Sequence, residues 1–247
     1  MKVIIVIPAR YCSSRFEGKV LANDTGKFLV QHTYERALRA KTVEKVFIAT
    51  DSEKVLKACK SFGADCVMTS ADHQSGTDRI AEAAKDIDAE VLINLQADEP
   101  EIDPEDIDYV ASLVLDNPSA DMATLAAEFD NQEQVIDPNV VKVVVDKQGR
   151  AIYFSRSVIP YDRQSGGLGK ADQYLRHLGI YAYRKEALLK FTSLEPSFLE
   201  RAEKLEQLRA IENGFTIIAG KVKHSWDGID TPQQYAEFVK RVTEART

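Results

Sequence analysis

The chain of 247 residues lacks the features that define several large protein classes. It has only three cysteines, Cys12, Cys59 and Cys66, an odd and scattered set without metal-site or disulfide-framework spacing. No apolar run approaches the roughly 18 residues of a membrane-spanning helix, so no membrane partner is expected. Met1-Lys-Val leads straight into an apolar strand, so no secretory signal is expected, and with the sparse cysteines this points to a reducing cytoplasm. Positive charge is short as well: 32 Lys and Arg stand against 39 Asp and Glu, for a net charge of −7. Without surplus cations to neutralise a phosphate backbone, nucleic acid is excluded as the main partner. No repeat, low-complexity tract or Pro/Gly/Ser-rich linker marks a domain boundary. Both common phosphate fingerprints are missing. There is no Gly-x-Gly-x-x-Gly, which argues against a dehydrogenase, and Gly18-Lys19 continues into Val20 with no glycine five positions before Gly18, so there is no Walker A loop.

What remains is an ordinary globular composition, 44% hydrophobic and 29% charged, and a chain long enough for a sizeable core. Val3 to Ile7 is a β-branched run, which predicts a strand buried on both faces of a parallel sheet. Pro8, with no N–H to donate, ends it. The stretch after it carries Arg10, Ser13, Ser14, Arg15, Gly18 and Lys19 and little that needs burying. Loops at the carboxyl end of a central strand are where open α/β sheets bind ligands. Three cations, two hydroxyls and a glycine there suit a polyphosphate, the alternative being a solvated surface loop.

Further along, a helix within Gly26–Ala40, a strand over Val43–Thr50, a helix over Glu53–Phe62 and a strand over Ala64–Thr69 set up a βαβαβ rhythm. Asp51 and Ser52 stand where a helix cap belongs, and Asp51 is read as that cap. The polar segment Ser70 to Arg79 precedes the next helix, with Ser75 or Thr77 as its cap and a pocket of free N–H groups suited to a nucleobase edge. His73 in this loop is read as structural. Glu90 to Gln96 is a fourth strand ending in Ala97-Asp98-Glu99-Pro100, where Asp98 is either an exposed turn residue or a ligand for Mg²⁺. A helix from Asp103 to Leu115 follows. Strands over Met122–Ala127, Pro138–Asp146 and Ala151–Ser155 come next, the last two pairing as a hairpin, so the sheet is expected to be mixed. Asn131 to Asp137 is helical or irregular, and the polar loop Asp162–Gln173 reads as a flexible one. One amphipathic helix is expected over Leu199–Asn213, closed by Gly214, and then a strand over Phe215–Gly220. Asp230 precedes Pro232 and a last helix to about Val242, a placement suited to an N-cap.

Several of these stretches resemble a known family. Pro8-Ala-Arg-Tyr-x-Ser-Ser-Arg-x-x-Gly-Lys19 is similar to the opening signature of the CMP-sugar synthetases, most closely their 3-deoxy-manno-octulosonate (Kdo) branch. His73-Gln-Ser-Gly-Thr-Asp-Arg79, Gln96-Ala-Asp-Glu-Pro100, Phe154-Ser-Arg156, Arg176-His-Leu-Gly-Ile-Tyr181, Leu205-Glu-Gln-Leu-Arg209 and Asp230-Thr-Pro232 follow in the family's order. Ala97 stands where the family has glycine, which matters if that turn needs a positive φ. The resemblance implies one Rossmann-like nucleotidyltransferase domain over 1–247, α/β, with a mixed, mostly parallel sheet flanked by helices. It also implies a projecting part, about 131–190, that contributes to sugar binding and to a homodimer. The implied activity is a Mg²⁺-dependent transfer of CMP from CTP to Kdo, releasing diphosphate, for lipopolysaccharide synthesis. Pro8, Ala9, Arg10, Ser13, Arg15 and Lys19 would then hold the triphosphate, with Gln74, Ser75 and Gly76 at the base. Asp98 and Asp230 would hold the metal, and with Arg10 and Lys19 form the catalytic set. Gln96, Arg156, His177, Tyr181, Glu206 and Gln207 would receive the acid sugar. Without the resemblance, Tyr181 reads as a half-buried strand aromatic and Glu206 and Gln207 as solvated helix residues. A modified Kdo as substrate, or a nucleotide-binding module without catalysis, are the other readings.

Overall fold

A computed structural model describes residues 1–12, 15–223 and 228–245. The chain divides into two compact units, Met1–Asp108 with Trp226–Thr247, and Tyr109–Ser225.

The first unit is built on β1 (Val3–Pro8), every residue of which is buried, as its β-branched run predicts. β2 (Lys45–Thr50), β3 (Cys66–Met68) and β4 (Val91–Asn94) join it in the order β3-β2-β1-β4. All three pairings are parallel, with Ile5 opposite both Val46 and Ile93. Parallel neighbours need crossover connections, and the helical periods supply them: α1 (Leu29–Ala37), α2 (Glu53–Ser61) and α3 (Gly76–Ala84). α4 (Pro104–Leu115) follows β4, with Pro104 at its first position.

In the second unit, β5 (Met122–Glu128) is the central strand. It pairs antiparallel with β8 (Leu175–Arg184) and parallel with β9 (Ile217–Val222). α5 (Gln132–Ile136) precedes the expected hairpin of β6 (Lys142–Val145) and β7 (Ala151–Ser155), and β6 also meets β8 at Lys142 and Arg176. The β structure is therefore mixed and mostly parallel. α6 (Lys185–Thr192) leads to a departure from expectation. The helix read over Leu199–Asn213 is two short ones, α7 (Phe198–Glu203) and α8 (Gln207–Glu212), broken at Lys204. Lys204 has φ 54°, the only positive φ at a non-glycine among the described residues.

The C-terminal helix α9 (Pro232–Glu244) belongs to the first unit because its apolar stripe has a partner there. Ile229, Tyr235 and Phe238 bury against Leu29 of α1, with Phe16 and Ala22 at the margin. Each such side chain removed from water is worth about 1.5–3 kcal/mol, enough to bring the tail back across the unit. Tyr235 Oη also accepts a 2.8 Å hydrogen bond from Asp24 N. No described helix is long and apolar enough to cross a membrane.

Candidate active site

The loop after β1 is shaped by Gly18. Its φ of 69° is left-handed, which a side chain resists, and its N–H reaches back to the Tyr11 carbonyl at 3.0 Å. That closure places Lys19 in a short 3₁₀ turn with its side chain directed inward. Lys19 Nζ donates to Asp98 Oδ2, to Asp230 Oδ1 at 2.9 Å and to the Ile229 carbonyl at 3.0 Å. Its side chain is only 11% exposed. Burial pulls the ammonium's pKa down, but attraction to Asp98 and the hydrogen bonds to both carboxylates outweigh it, and the net shift is upward. Lys19 is therefore charged, and its three N–H groups are all engaged.

Asp98 arrives from the end of β4 and Asp230 from the start of α9. A backbone bond from Ile229 N to Asp98 O at 2.8 Å brings the two segments together. Asp230 is not the cap of α9. Thr231 is, its hydroxyl accepting from Gln234 N while Gln234 returns a bond, so the Asp230 carboxylate is left for Lys19 and for Arg15 Nη2 at 2.9 Å. Ala97 is accommodated where the family has glycine, because its φ is not positive, and its carbonyl is held by Thr33 Oγ1 at 3.0 Å. These groups surround a cavity of about 400 Å³, with Arg10, Arg15 and Lys19 against Asp98 and Asp230, and Pro8 and Gln96 beside them. Gln96 Nε2 donates to Asn94 Oδ1 at 2.7 Å, while Ala9 is wholly buried behind the loop. Ser13, expected to contact the triphosphate, lies outside the described residues.

The donor set also tests the expectation of Mg²⁺. Among the described residues no cluster of three or more His, Cys, Asp or Glu side chains forms a metal cage. Mg²⁺ rarely needs one: it binds one or two carboxylates and takes the rest of its shell from water and substrate phosphates. Two carboxylate oxygens and a carbonyl already converge on one cationic nitrogen here. Oxygen donors of that kind fit a hard divalent cation.

The loop from Ser70 to Ser75 is held from beneath. Arg79, fully buried, reaches Thr69 Oγ1, the Ser70 carbonyl at 3.2 Å and Asp51 Oδ2 at 2.8 Å. Asp51 is thus an ion-pair partner, and the N-cap of α2 is Ser52. By type and position Asp51 suits the cap, and the arginine it meets instead lies far along the chain. His73 is structural, as read, bonded to Glu82. Ser75 caps α3 by accepting from Asp78 N at 3.0 Å. Gln74 presents its carbonyl to Arg10 at 3.5 Å, and Gly76 lies so close to Pro8 that a Cβ would stand 3.2 Å from its ring. Gln74 and Gly76 thus adjoin the β1 segment.

The second unit gathers the remaining candidates. His177 and Tyr181 lie on β8 about a bulge in its pairing with β5, their rings 5.3 Å apart. Burial pushes the His177 pKa down to about 3, so the ring is neutral. Its Nε2 is 3.0 Å from Thr124 Oγ1, which also lies 3.0 and 2.8 Å from the Leu178 and Ile180 carbonyls. One hydroxyl proton serves a carbonyl, so Nε2 is the donor to Thr124 and Nδ1 is left to accept. Burial raises the Tyr181 pKa well above its ordinary value, and its hydroxyl is buried without a hydrogen-bond partner among the described residues. A buried, unpaired phenol is costly unless something else satisfies it. Glu206 precedes α8 and Gln207 opens it; Gln207 is buried rather than solvated, and Arg209 Nη2 reaches Glu206 Oε1 at 3.2 Å. Arg156, which the resemblance places toward the acid sugar, is held by backbone. Three of its N–H groups go to backbone carbonyls: Nε to Glu203 at 2.7 Å, Nη1 to Pro138 at 2.9 Å and Nη2 to Lys204 at 3.4 Å.

Residues 4–219 match the family model described as Cytidylyltransferase. A 3-deoxy-manno-octulosonate cytidylyltransferase of Rhodopirellula baltica is 48% identical, over 98% of this chain and 99% of that one. One from Solibacter usitatus is 47% identical, over 99% of this chain and 95% of that one. A solved structure of CMP:2-keto-3-deoxy-manno-octonic acid synthetase complexed with CTP superposes with a TM-score of 0.94 at 41% identity, covering 99% of this chain and all of the other.

Proposed function

We propose, on the premise that this chain belongs to the cytidylyltransferase family and shares its nucleotidyltransferase fold, that it activates 3-deoxy-D-manno-octulosonate with CTP, giving CMP-Kdo and diphosphate for lipopolysaccharide synthesis. The observation that carries this reading is the convergence of Asp98 and Asp230 on Lys19, in a cavity also lined by Arg10 and by Arg15, which pairs with Asp230. Opposed cations and carboxylates suit a triphosphate with a divalent metal, and hardly any uncharged ligand.

In the proposed reaction the sugar's anomeric hydroxyl attacks the α-phosphorus of CTP in line, and pyrophosphate leaves. Asp98 and Asp230 would hold Mg²⁺, which when bound neutralises phosphate charge. Arg10 and Arg15 hold the triphosphate, joined by Lys19 once its ammonium exchanges a carboxylate for a phosphate oxygen, and with Pro8 and Ala9 they fix its path along the loop. Gln74, Ser75 and Gly76 receive the cytosine. On the sugar side, Gln96 lines the first-unit cavity, while Tyr181 donates from its buried hydroxyl and His177 accepts at Nδ1. Glu206 and Gln207 bond sugar hydroxyls. Orientation and charge neutralisation do most of the chemistry in such transfers. The 131–190 part meets a second copy of the chain; Ile136, Ile152 and Tyr161 there are each more than half exposed.

The test is pyrophosphate release with CTP, UTP, ATP and GTP, each with and without Kdo. Release that needs both CTP and Kdo is expected. Release independent of the sugar, or equal with ATP, would remove the proposal.

A further inference from the structure

An unbroken helix over Leu199–Asn213 would give the carbonyls of Glu203 and Lys204 to N–H groups four residues on. The sequence there, Glu203-Lys-Leu-Glu-Gln-Leu-Arg209, contains no glycine or proline and favours such a helix. The chain instead breaks at Lys204, which adopts φ 54°, ψ 46°, a conformation that glycine usually fills at a helix end and that a β-carbon disfavours. Something must hold it there. Arg156 bonds both carbonyls in question, and its own N–H donates to Glu203 Oε2 at 2.9 Å. Glu203 Oε1 takes a further bond, from Ser155 Oγ, at 2.6 Å. Arg156 is fixed in turn: its carbonyl accepts from the buried Lys142 Nζ at 2.6 Å, and Nη1 is spent on Pro138. On the far side of the break, Arg209 faces both Glu200 of α7 and Glu206, stitching the two short helices together.

We infer that Arg156 is a positioning residue: it holds Lys204 in the left-handed conformation, and that kink presents Glu206 and Gln207 to the acid sugar. The inference rests on the proposed activity, since it names the sugar as what the kink serves. Its logic separates it from direct recognition of the sugar carboxylate. If the guanidinium acts by enforcing a backbone conformation, a residue that adopts that conformation freely makes it less necessary. Glycine at 204 is that residue.

The experiment compares wild type, Arg156→Ala, Lys204→Gly and the double variant, measuring kcat, KM for Kdo, KM for CTP and the thermal midpoint. Arg156→Ala is expected to raise the Kdo KM about tenfold or more with the CTP KM nearly unchanged. Lys204→Gly alone should leave both within about twofold, and the double variant should recover most of the lost Kdo affinity, a strong coupling between neighbours. An equal loss from Arg156→Ala on both backgrounds would overturn the inference in favour of direct sugar contact. So would an unchanged Kdo KM in Arg156→Ala. If that variant does not fold, Arg156→Lys takes its place: one ammonium cannot span both carbonyls, and Lys204→Gly should again restore Kdo KM and midpoint. A wild-type protein inactive with CTP and Kdo would refute the proposed activity, whereas coupling of the two sites in the thermal midpoint would still report the strut.

Discussion

Asp51 and Arg79 form an ion pair at 2.8 Å in which the arginine is wholly buried, tying the end of β2 to α3, which follows the loop from Ser70 to Ser75. The same guanidinium holds Thr69 and the Ser70 carbonyl, so one side chain fixes both ends of the segment that carries Gln74 and Ser75. Removing the carboxylate leaves a buried cation short of its counter-charge, which costs about 3 kcal/mol. Asp51→Ala should therefore lower stability by that order in urea unfolding and raise the KM for CTP, while the KM for Kdo follows much less. Had Asp51 been the cap of α2, Asp51→Asn would be nearly neutral, because asparagine caps as well as aspartate. A neutral Asp51→Asn would thus contradict the ion-pair role.

The close approach of Gly76 to Pro8 gives a second check. A Cβ at 76 would sit 3.2 Å from the proline ring, so the base loop must give by a few tenths of an ångström. Gly76→Ala is expected to fold normally, with a fall in kcat/KM for CTP of about tenfold, equivalent to ~1.4 kcal/mol. An unaltered CTP preference in a fully active variant would detach this loop from the base.

How much of this was legible in the sequence depends on the range of the forces involved. The buried β1 run, the crossover helices and the β6–β7 hairpin follow from local periodicity and turn residues, and they fold as read. Thr231 was overlooked as the α9 cap although Thr231-Pro-Gln-Gln234 carries a capping-box pattern, because Asp230 one position earlier is as good a cap by type. The ion pair of Asp51 had no local signal at all, nor did the break at Lys204. Residues 199–213 prefer one helix by propensity, and an arginine from β7's end, distant in sequence, overrides them. Arg156 was legible only as a sugar-side residue of the resembled family; that its planar guanidinium spans two backbone carbonyls needed the fold. Lys19 was read as a phosphate ligand; its engagement with two carboxylates needed β4 and α9 brought together.

The half-buried His177 predicts a pH dependence of stability. Its pKa is depressed to about 3 in the folded chain, against about 6.5 unfolded, so between those values the unfolded state binds the extra proton. The sign follows: the stability is fully present above pH 6.5 and is lost as pH falls, by about 1.4 kcal/mol per unit. The difference in unfolding free energy between wild type and His177→Asn should therefore shrink steadily from pH 7 to pH 5. A difference that stays constant over that range would mean the ring is not held neutral. Activity near neutral pH should show no titration from this histidine.

Asp230 separates metal binding from helix capping most directly. Thr231 and Gln234 already form the cap of α9, so Asp230→Asn leaves the helix start intact. The side chain is 38% exposed, and its pairing with Lys19 and Arg15 is partly screened, so the thermal midpoint without metal should move little. What the substitution removes is one of two anionic oxygens that converge on a single cation position. A hard divalent ion prefers charged oxygen to an amide, so Mn²⁺ affinity measured by electron paramagnetic resonance in the presence of CTP should fall with turnover. A kcat loss of about 10²-fold or more is expected, or ~2.7 kcal/mol of transition-state stabilisation. Asp98→Asn should do the same, and if both carboxylates serve one ion the double variant should lose much less than the product of the two. Lys19→Met supplies the opposite control. It takes away the ammonium that competes for these oxygens, so nucleotide-free protein should bind Mn²⁺ more tightly even as CTP turnover drops. Weaker Mn²⁺ binding in Lys19→Met, or unchanged binding in Asp230→Asn, would place the metal elsewhere and leave the three residues as a salt bridge that closes the β1 loop.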